Sequence, residues 1–128
     1  MKEVFFVCGG FVVSVRIDVE HNDEKYVGSI ETVSDVSLGW NDMGIFTMSL
    51  TFREGNSYQG TPAHFLTDQG KGTAYGLGFI IETMKAVGVE DFNELRGKQA
   101  IVLRSYAGGF IDGVASLDGT SVFVFKEL

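Results

Sequence analysis

The sequence predicts an α+β fold: a strongly curved antiparallel sheet or small barrel with one main helix, about 73–87, between strands. Three observations predict it. Phe46, Met48, Leu50 and Phe52 alternate with Ile45, Thr47, Ser49 and Thr51, the period of a strand with one face on a core. Leu77, Ile80, Ile81, Met84 and Val87 then recur at three- and four-residue spacing, the stripe of a helix. Turn-forming pairs such as Asn41-Asp42, Gly108-Gly109 and Asp118-Gly119 separate the apolar runs.

The elements follow in order. Phe5–Val7 and Phe11–Ile17 are β-branched and aromatic, which suits paired strands. Asp18–Lys25 reads as a polar, acidic turn. Tyr26–Trp40 alternates imperfectly, with Val27 and Val33 out of phase, so a bulge or bend is expected. Gly44–Phe52 is the clearest strand. Arg53–Gly60 reads as a loop, Thr61–Leu66 as a short strand, and Thr67–Gly72 as another loop. Pro62 confines that short strand to an edge or to its own start, because proline cannot donate to a ladder. Thr73 is a suitable N-cap for the helix, and Gly88 is its left-handed terminator with Val89 packing back. Asp91 and Glu94 have capping-box spacing, and Gly97 stops that second short turn. Gln99–Tyr106, Phe110–Leu117 and Ser121–Lys126 close the sheet.

The chain of 128 residues fits a single domain, 1–128, large enough to bury a core. Seventeen acidic against ten basic side chains give a formal charge of -7, which on average repels nucleic acid and anionic lipid and favours a protein or cationic partner. The one cysteine, Cys8, excludes an internal disulfide and reads as a small buried hydrophobe. Gly9-Gly10 breaks the N-terminal apolar run, and no segment has the roughly 18 apolar residues of a membrane span. A cytoplasmic location is therefore expected.

Gly70-Lys-Gly-Thr-Ala-Tyr-Gly-Leu-Gly78 invites comparison with phosphate-binding loops. The dinucleotide fingerprint would need glycine at Tyr75, and the P-loop would need glycine at Phe65 and serine or threonine at Gly72. Both templates fail. Two readings remain: an anion held by helix-start N–H groups beside Lys71, or close backbone packing that explains glycine at 76 and 78.

Asp18, Glu20 and Asn22 start like a calcium loop, but Asp23 stands at the required glycine and Ser29 at the terminal glutamate. His21 and His64 are the only histidines, and Gly55–Gly60 misses the nucleophile-elbow spacing by one residue. No catalytic, metal-binding or cofactor-binding residue is therefore assigned, and no enzyme is expected. Trp40, Tyr58 and Tyr106, with Arg53, Lys71 and Arg104, form a candidate stacking surface for single-stranded nucleic acid.

Asp42-Met-Gly-Ile-Phe-Thr-Met-Ser-Leu-Thr-Phe52, Gln59-Gly60, Gly72-Thr-Ala-Tyr-Gly-Leu-Gly-Phe-Ile80 and Gly88-Val-Glu-Asp-Phe-Asn-Glu-Leu-Arg-Gly-Lys98 together resemble a group of small, mostly uncharacterised phage and prophage proteins. The resemblance covers roughly residues 35–104 and departs at Thr61-Pro62, where those proteins are richer in glycine. A weaker resemblance links the helix, Lys85-Ala-Val-Gly-Val89, Glu94-Leu-Arg-Gly-Lys98 and the strand after it to phage single-strand-binding proteins with an OB-like barrel.

The expectation is a non-catalytic, phage-type accessory protein that binds a macromolecular partner through Asp18, Glu20, Asp23 and Glu24. Its partner class would be a host nucleic-acid enzyme or defence complex. An OB-like single-strand binder is the competing expectation, and an oligomeric virion component is a third.

Overall fold

The computed structural model describes the backbone of residues 2–8, 11–59 and 66–128, and the side chains of residues 16–58 and 66–128. The surroundings of Cys8, the Gly9-Gly10 break, His64 and the expected strand Thr61–Leu66 with Pro62 lie outside that description, apart from Leu66.

Strands β1 (Lys2–Cys8) and β2 (Phe11–His21) pair antiparallel, and β2 continues into β3 (Glu24–Trp40). Asp18–Lys25 is therefore not a turn, as the sequence suggested. The turn is confined to Asn22-Asp23, whose φ values of 49° and 65° are those of a two-residue hairpin loop. Ile17 and Val19 are buried, so the acids alternating with them belong to a half-buried strand.

Strand β3 changes partner half-way. Thr32 C=O accepts from Arg53 N–H at 2.8 Å, while Val33 N–H donates to Lys98 C=O at 2.8 Å. Successive residues face opposite edges of a strand, so β2 and β4 (Phe46–Phe52) share one edge of β3 and β8 (Gln99–Arg104) occupies the other. The expected irregularity falls here, as a register shift between Val33 and Asp35.

Met48, Leu50 and Phe52 are buried on one face of β4, as the alternation predicts. The strand begins at Phe46, two residues later than expected, because Asn41 Oδ1 accepts from the N–H groups of Met43 and Ile45 and folds that segment into a turn. The expected loop at 53–60 contains β5 (Ser57–Gln59), paired with Ser49–Thr51. The next expected loop holds a tight hairpin of β6 (Thr67–Asp68) and β7 (Lys71–Gly72).

Helix α1 (Ala74–Val87) starts and stops where expected. Thr73 Oγ1 accepts from Gly76 N–H at 2.8 Å, and Gly88 adopts φ 89° with its N–H bonded to Met84 C=O. Its buried line is shifted by a residue from the predicted stripe. Gly76, Phe79, Thr83 and Ala86 face inward, Ile80, Met84 and Val87 flank them, and Leu77 and Ile81 are exposed. Phe79 wins the centre because Phe123, Phe125 and Tyr58 surround it with ring centroids 5.2–6.3 Å away.

After a 3-10 turn at Phe92–Leu95 capped by Asp91, β8, β9 (Ile111–Ala115) and β10 (Val122–Val124) form a meander. All three strands are shorter than the sequence suggested, and the last gives way to a 3-10 turn at Phe125–Glu127.

The sheet is buried on both faces along β8. Val102, Val114 and Phe123 join β4 and α1 in the larger core, whereas Ile101, Leu103, Ala115 and Val124 join Ile17, Val19 and Tyr26 in the smaller one. In the smaller core Gly28 and Gly113 lie in one cross-strand row with Leu103 between them. A Cβ at Gly28 would stand 2.7 Å from Ile101 Cγ2, and one at Gly113 would collide with Phe123 C=O, so bare backbone lets the strands curl together. The curl brings Glu24 to Lys126 at 2.5 Å and His21 to Glu127 at 2.7 Å. Among the described residues the sheet stays open, with ladders running β1-β2-β3-β8-β9-β10 and β4-β5 branching from β3. The result is an α+β fold built on an antiparallel sheet. No helix among the described residues is long and apolar enough to cross a membrane.

Candidate functional site

The acidic quartet sits at the β2–β3 hairpin. Asp18 and Glu20 face outward from β2, Asp23 occupies the turn, and Glu24 opens β3. Much of their charge is met locally. Arg16 Nε lies 3.2 Å from Asp18, Lys25 stands opposite Glu20 in the ladder, and Lys126 bonds Glu24. The Lys126 ammonium, followed by the Tyr26 hydroxyl at 3.0 Å, holds the Glu24 carboxyl below its usual value.

The six residues considered for nucleic-acid stacking do not converge. Tyr58 is in the larger core, 5.0 Å from Phe125 between ring centroids, and burial pushes its phenol well above its usual value. Its hydroxyl and that of Thr83 are both buried near one another, too poorly aligned for a well-formed hydrogen bond, and neither has another partner among the described residues. Arg104 is held by Gly109 C=O at 3.0 Å and Glu31 at 3.3 Å. Trp40 and Arg53 lie at opposite ends of the β3–β4 ladder, roughly 20 Å apart along the strand. Lys71 is exposed in the tight hairpin, and Tyr106 is exposed in the β8–β9 turn, as is Phe110.

Glu31 was not evident from sequence. It is 3% exposed, and Ser29, Asn56 and Arg104 all donate to its carboxylate. No pattern marks it, because these donors come from three separate segments.

A different surface gathers the exposed apolar side chains. Trp40, Phe46, Leu66, Leu77 and Ile80 line a groove of about 580 Å³, floored on one side by Gly72, Thr73 and Ala74. Trp40 is 61% exposed and packs edge-on against Phe46 at 5.3 Å, and Leu77 is 60% exposed. Leu38, Met43 and Ile81 add exposed apolar area from the same strand end, its turn and the helix. Exposed Asp42 adjoins Met43, and exposed Asp68 adjoins Thr67 at the groove.

The glycine-rich entrance to α1 is part of this surface. A Cβ on Gly76 would collide with the Leu66 backbone, its carbonyl carbon only 2.7 Å away, so the glycine permits close packing. Leu66 C=O in turn accepts from both Thr73 N–H and Thr73 Oγ1 at 3.1 Å, which fixes the groove wall. Close approach explains Gly76. Gly78 meets only the end of the Leu128 side chain, at 3.3 Å.

No family model, curated protein or solved structure matches the chain. Among the described residues no group of three His, Cys, Asp or Glu side chains is placed to hold a metal ion.

Proposed function

We propose that this chain is a non-catalytic, phage-type accessory protein that binds a protein partner through the Trp40–Leu77 groove, the partner presenting an apolar and basic segment. The observation that carries the reading is the exposure of Trp40 and Leu77 in one groove, with exposed Leu38 and Met43 close to Trp40 in sequence and exposed Ile81 one helical turn on from Leu77. Clustered apolar surface on a soluble domain marks an interaction site, and tryptophan is a frequent anchor of such sites. The charge of the partner follows from complementarity. The chain carries -7, and at the groove Asp68 adjoins the lining residue Thr67, with Lys71 opposite it in the hairpin. A host nucleic-acid enzyme or defence complex has the required basic surface, and acids at the β2–β3 hairpin would extend the contact.

The competing reading is an OB-like single-strand binder. It draws on the curl of β2, β3, β8, β9 and β10 around the smaller core. The buried Tyr58 and the engaged Arg104 weigh against it.

Anisotropy titrations with a labelled amphipathic Leu/Lys peptide and a labelled thymidine oligonucleotide, at low and moderate salt, separate the two. Saturable peptide binding without oligonucleotide binding is expected. Oligonucleotide binding that weakens steeply with salt, with no peptide binding, overturns the proposal.

A further inference from the structure

A second concavity lies at the other end of the molecule, where the C-terminal end of α1, the start of β8 and the β9–β10 turn meet beside Thr32. It measures about 750 Å³, and Arg53, Lys85, Lys98, Gln99 and Ser121 are among its lining. In an acidic chain this is a basic cleft, and the disposition of the cations explains why.

Most described cations already have a carboxylate. Arg16 has Asp18 at 3.2 Å, Arg96 has Asp35 at 3.0 Å, Arg104 has Glu31 at 3.3 Å and Lys126 has Glu24 at 2.5 Å. Lys25 faces Glu20 and Lys71 faces Asp68 across their hairpins. Lys85 has Glu82 at 3.4 Å, both partners being well exposed. Lys25, Arg53, Lys71 and Lys98 have no carboxylate within ion-pair distance among the described residues; Lys25 and Lys71 have an acid opposite them in a ladder, whereas Arg53 and Lys98 have none there and both line this cleft. Glu54, the neighbour of Arg53, accepts instead from Thr32 N–H at 2.7 Å.

We infer that this cleft binds a phosphate-bearing ligand through Arg53 and Lys98, with Lys85 at its rim. A guanidinium and an ammonium lining one cleft suit a multiply charged phosphate group better than a single carboxylate. Gln99 and the Ser121 hydroxyl supply neutral polar contacts. Asp118, on the β9–β10 turn, is the one acid in the lining and marks the wall the anion avoids. Its carboxylate is turned to its own loop, accepting from Thr120 N–H at 3.0 Å and from the hydroxyls of Ser116 and Thr120. The site is on a different face from the apolar groove and stands independently of the protein-binding reading.

The test is an NMR titration of the isotope-labelled protein with pyrophosphate, repeated with a short thymidine oligonucleotide. Saturable shifts at the amides of Thr32, Lys98, Gln99 and Ser121 are expected. Arg53→Ala and Lys98→Ala should each weaken binding about tenfold, while their free spectra keep the wild-type dispersion. Asp118→Asn, which keeps the acceptor oxygen and removes the charge, should tighten binding about twofold. Pyrophosphate binding assigns the site to a free phosphate ligand, and oligonucleotide binding alone assigns it to strand phosphates. Absence of localised shifts with either probe at millimolar concentration overturns the inference. Binding that both alanine variants leave unchanged overturns it equally.

Discussion

Gly76→Ala tests the packing of the helix entrance in a way that separates local propensity from tertiary contact. Alanine should stabilise a helix interior by about 1 kcal/mol relative to glycine. Here the new Cβ would collide with the main chain of Leu66, which cannot rotate aside as a side-chain tip can. Overpacking of this kind costs about 1–3 kcal/mol, and a backbone neighbour places it at the upper end. Moving Leu66 also loosens its two hydrogen bonds from Thr73, each contributing about 1 kcal/mol. The net expectation is a loss of about 2–3 kcal/mol, or roughly 10 °C in Tm for a domain of this size. Gly78→Ala is the control. Its Cβ meets Leu128 Cδ1 at 3.3 Å, and Leu128 is 42% exposed and free to swing, so this variant should gain about 0.5–1 kcal/mol. Urea denaturation of the two variants beside wild type gives the answer. Gly76→Ala as stable as wild type, or Gly78→Ala as damaging as Gly76→Ala, would refute the reasoning.

Other perturbations probe the rest of the structure. Arg104→Met leaves the 3%-exposed Glu31 carboxylate without its cation and should cost about 3–5 kcal/mol by denaturant unfolding. Tyr58→Phe removes a buried hydroxyl whose one polar neighbour is the buried Thr83 hydroxyl, so its stability should stay within about 1 kcal/mol of wild type. The same phenol should stay protonated in alkali until the protein unfolds, which ultraviolet difference absorbance reports. Thr120 N–H, then the Ser116 and Thr120 hydroxyls, hold Asp118 down to about 2. Its folded value lies below its unfolded one, so its contribution is fully present above about pH 4 and is lost as pH falls through about 2. An NMR titration of its carboxyl carbon should find it still mainly ionised at about pH 3, and Asp118→Asn should flatten that part of the acid-unfolding profile.

Elements with a strong local signal were legible in the sequence. The alternation of β4, the Thr73 and Gly88 ends of α1, the irregularity near Val33 and the Asp118-Gly119 turn each follow from residues within a few positions. Features decided by distant neighbours were not. The inward line of α1 is centred on Phe79 because aromatic residues from β5, β10 and the C-terminal turn converge there, and no helical periodicity encodes that. Asp18–Lys25 looked like a loop because four acids outweighed Ile17 and Val19 in a polarity count, yet alternation with two buried residues made it a strand. Helical spacing gave Leu77 and Ile81 to the core, and only the placement of α1 against the sheet shows them facing solvent, Leu77 in the same groove as Trp40. The grouping of Arg53 with Lys98 was equally hidden, since it depends on β3 exchanging partners between them.

The central claim is that the Trp40–Leu77 groove receives a protein segment, and the single tryptophan reports on it directly. Trp40 emission should move to shorter wavelength, saturably, as an unlabelled amphipathic Leu/Lys peptide is added, because docking removes the indole from water. Leu77→Lys places a charge of the peptide's own sign in the groove at an exposed helix position and should abolish the shift without lowering stability. Wild-type emission that does not move, or an identical shift in Leu77→Lys, would contradict the account.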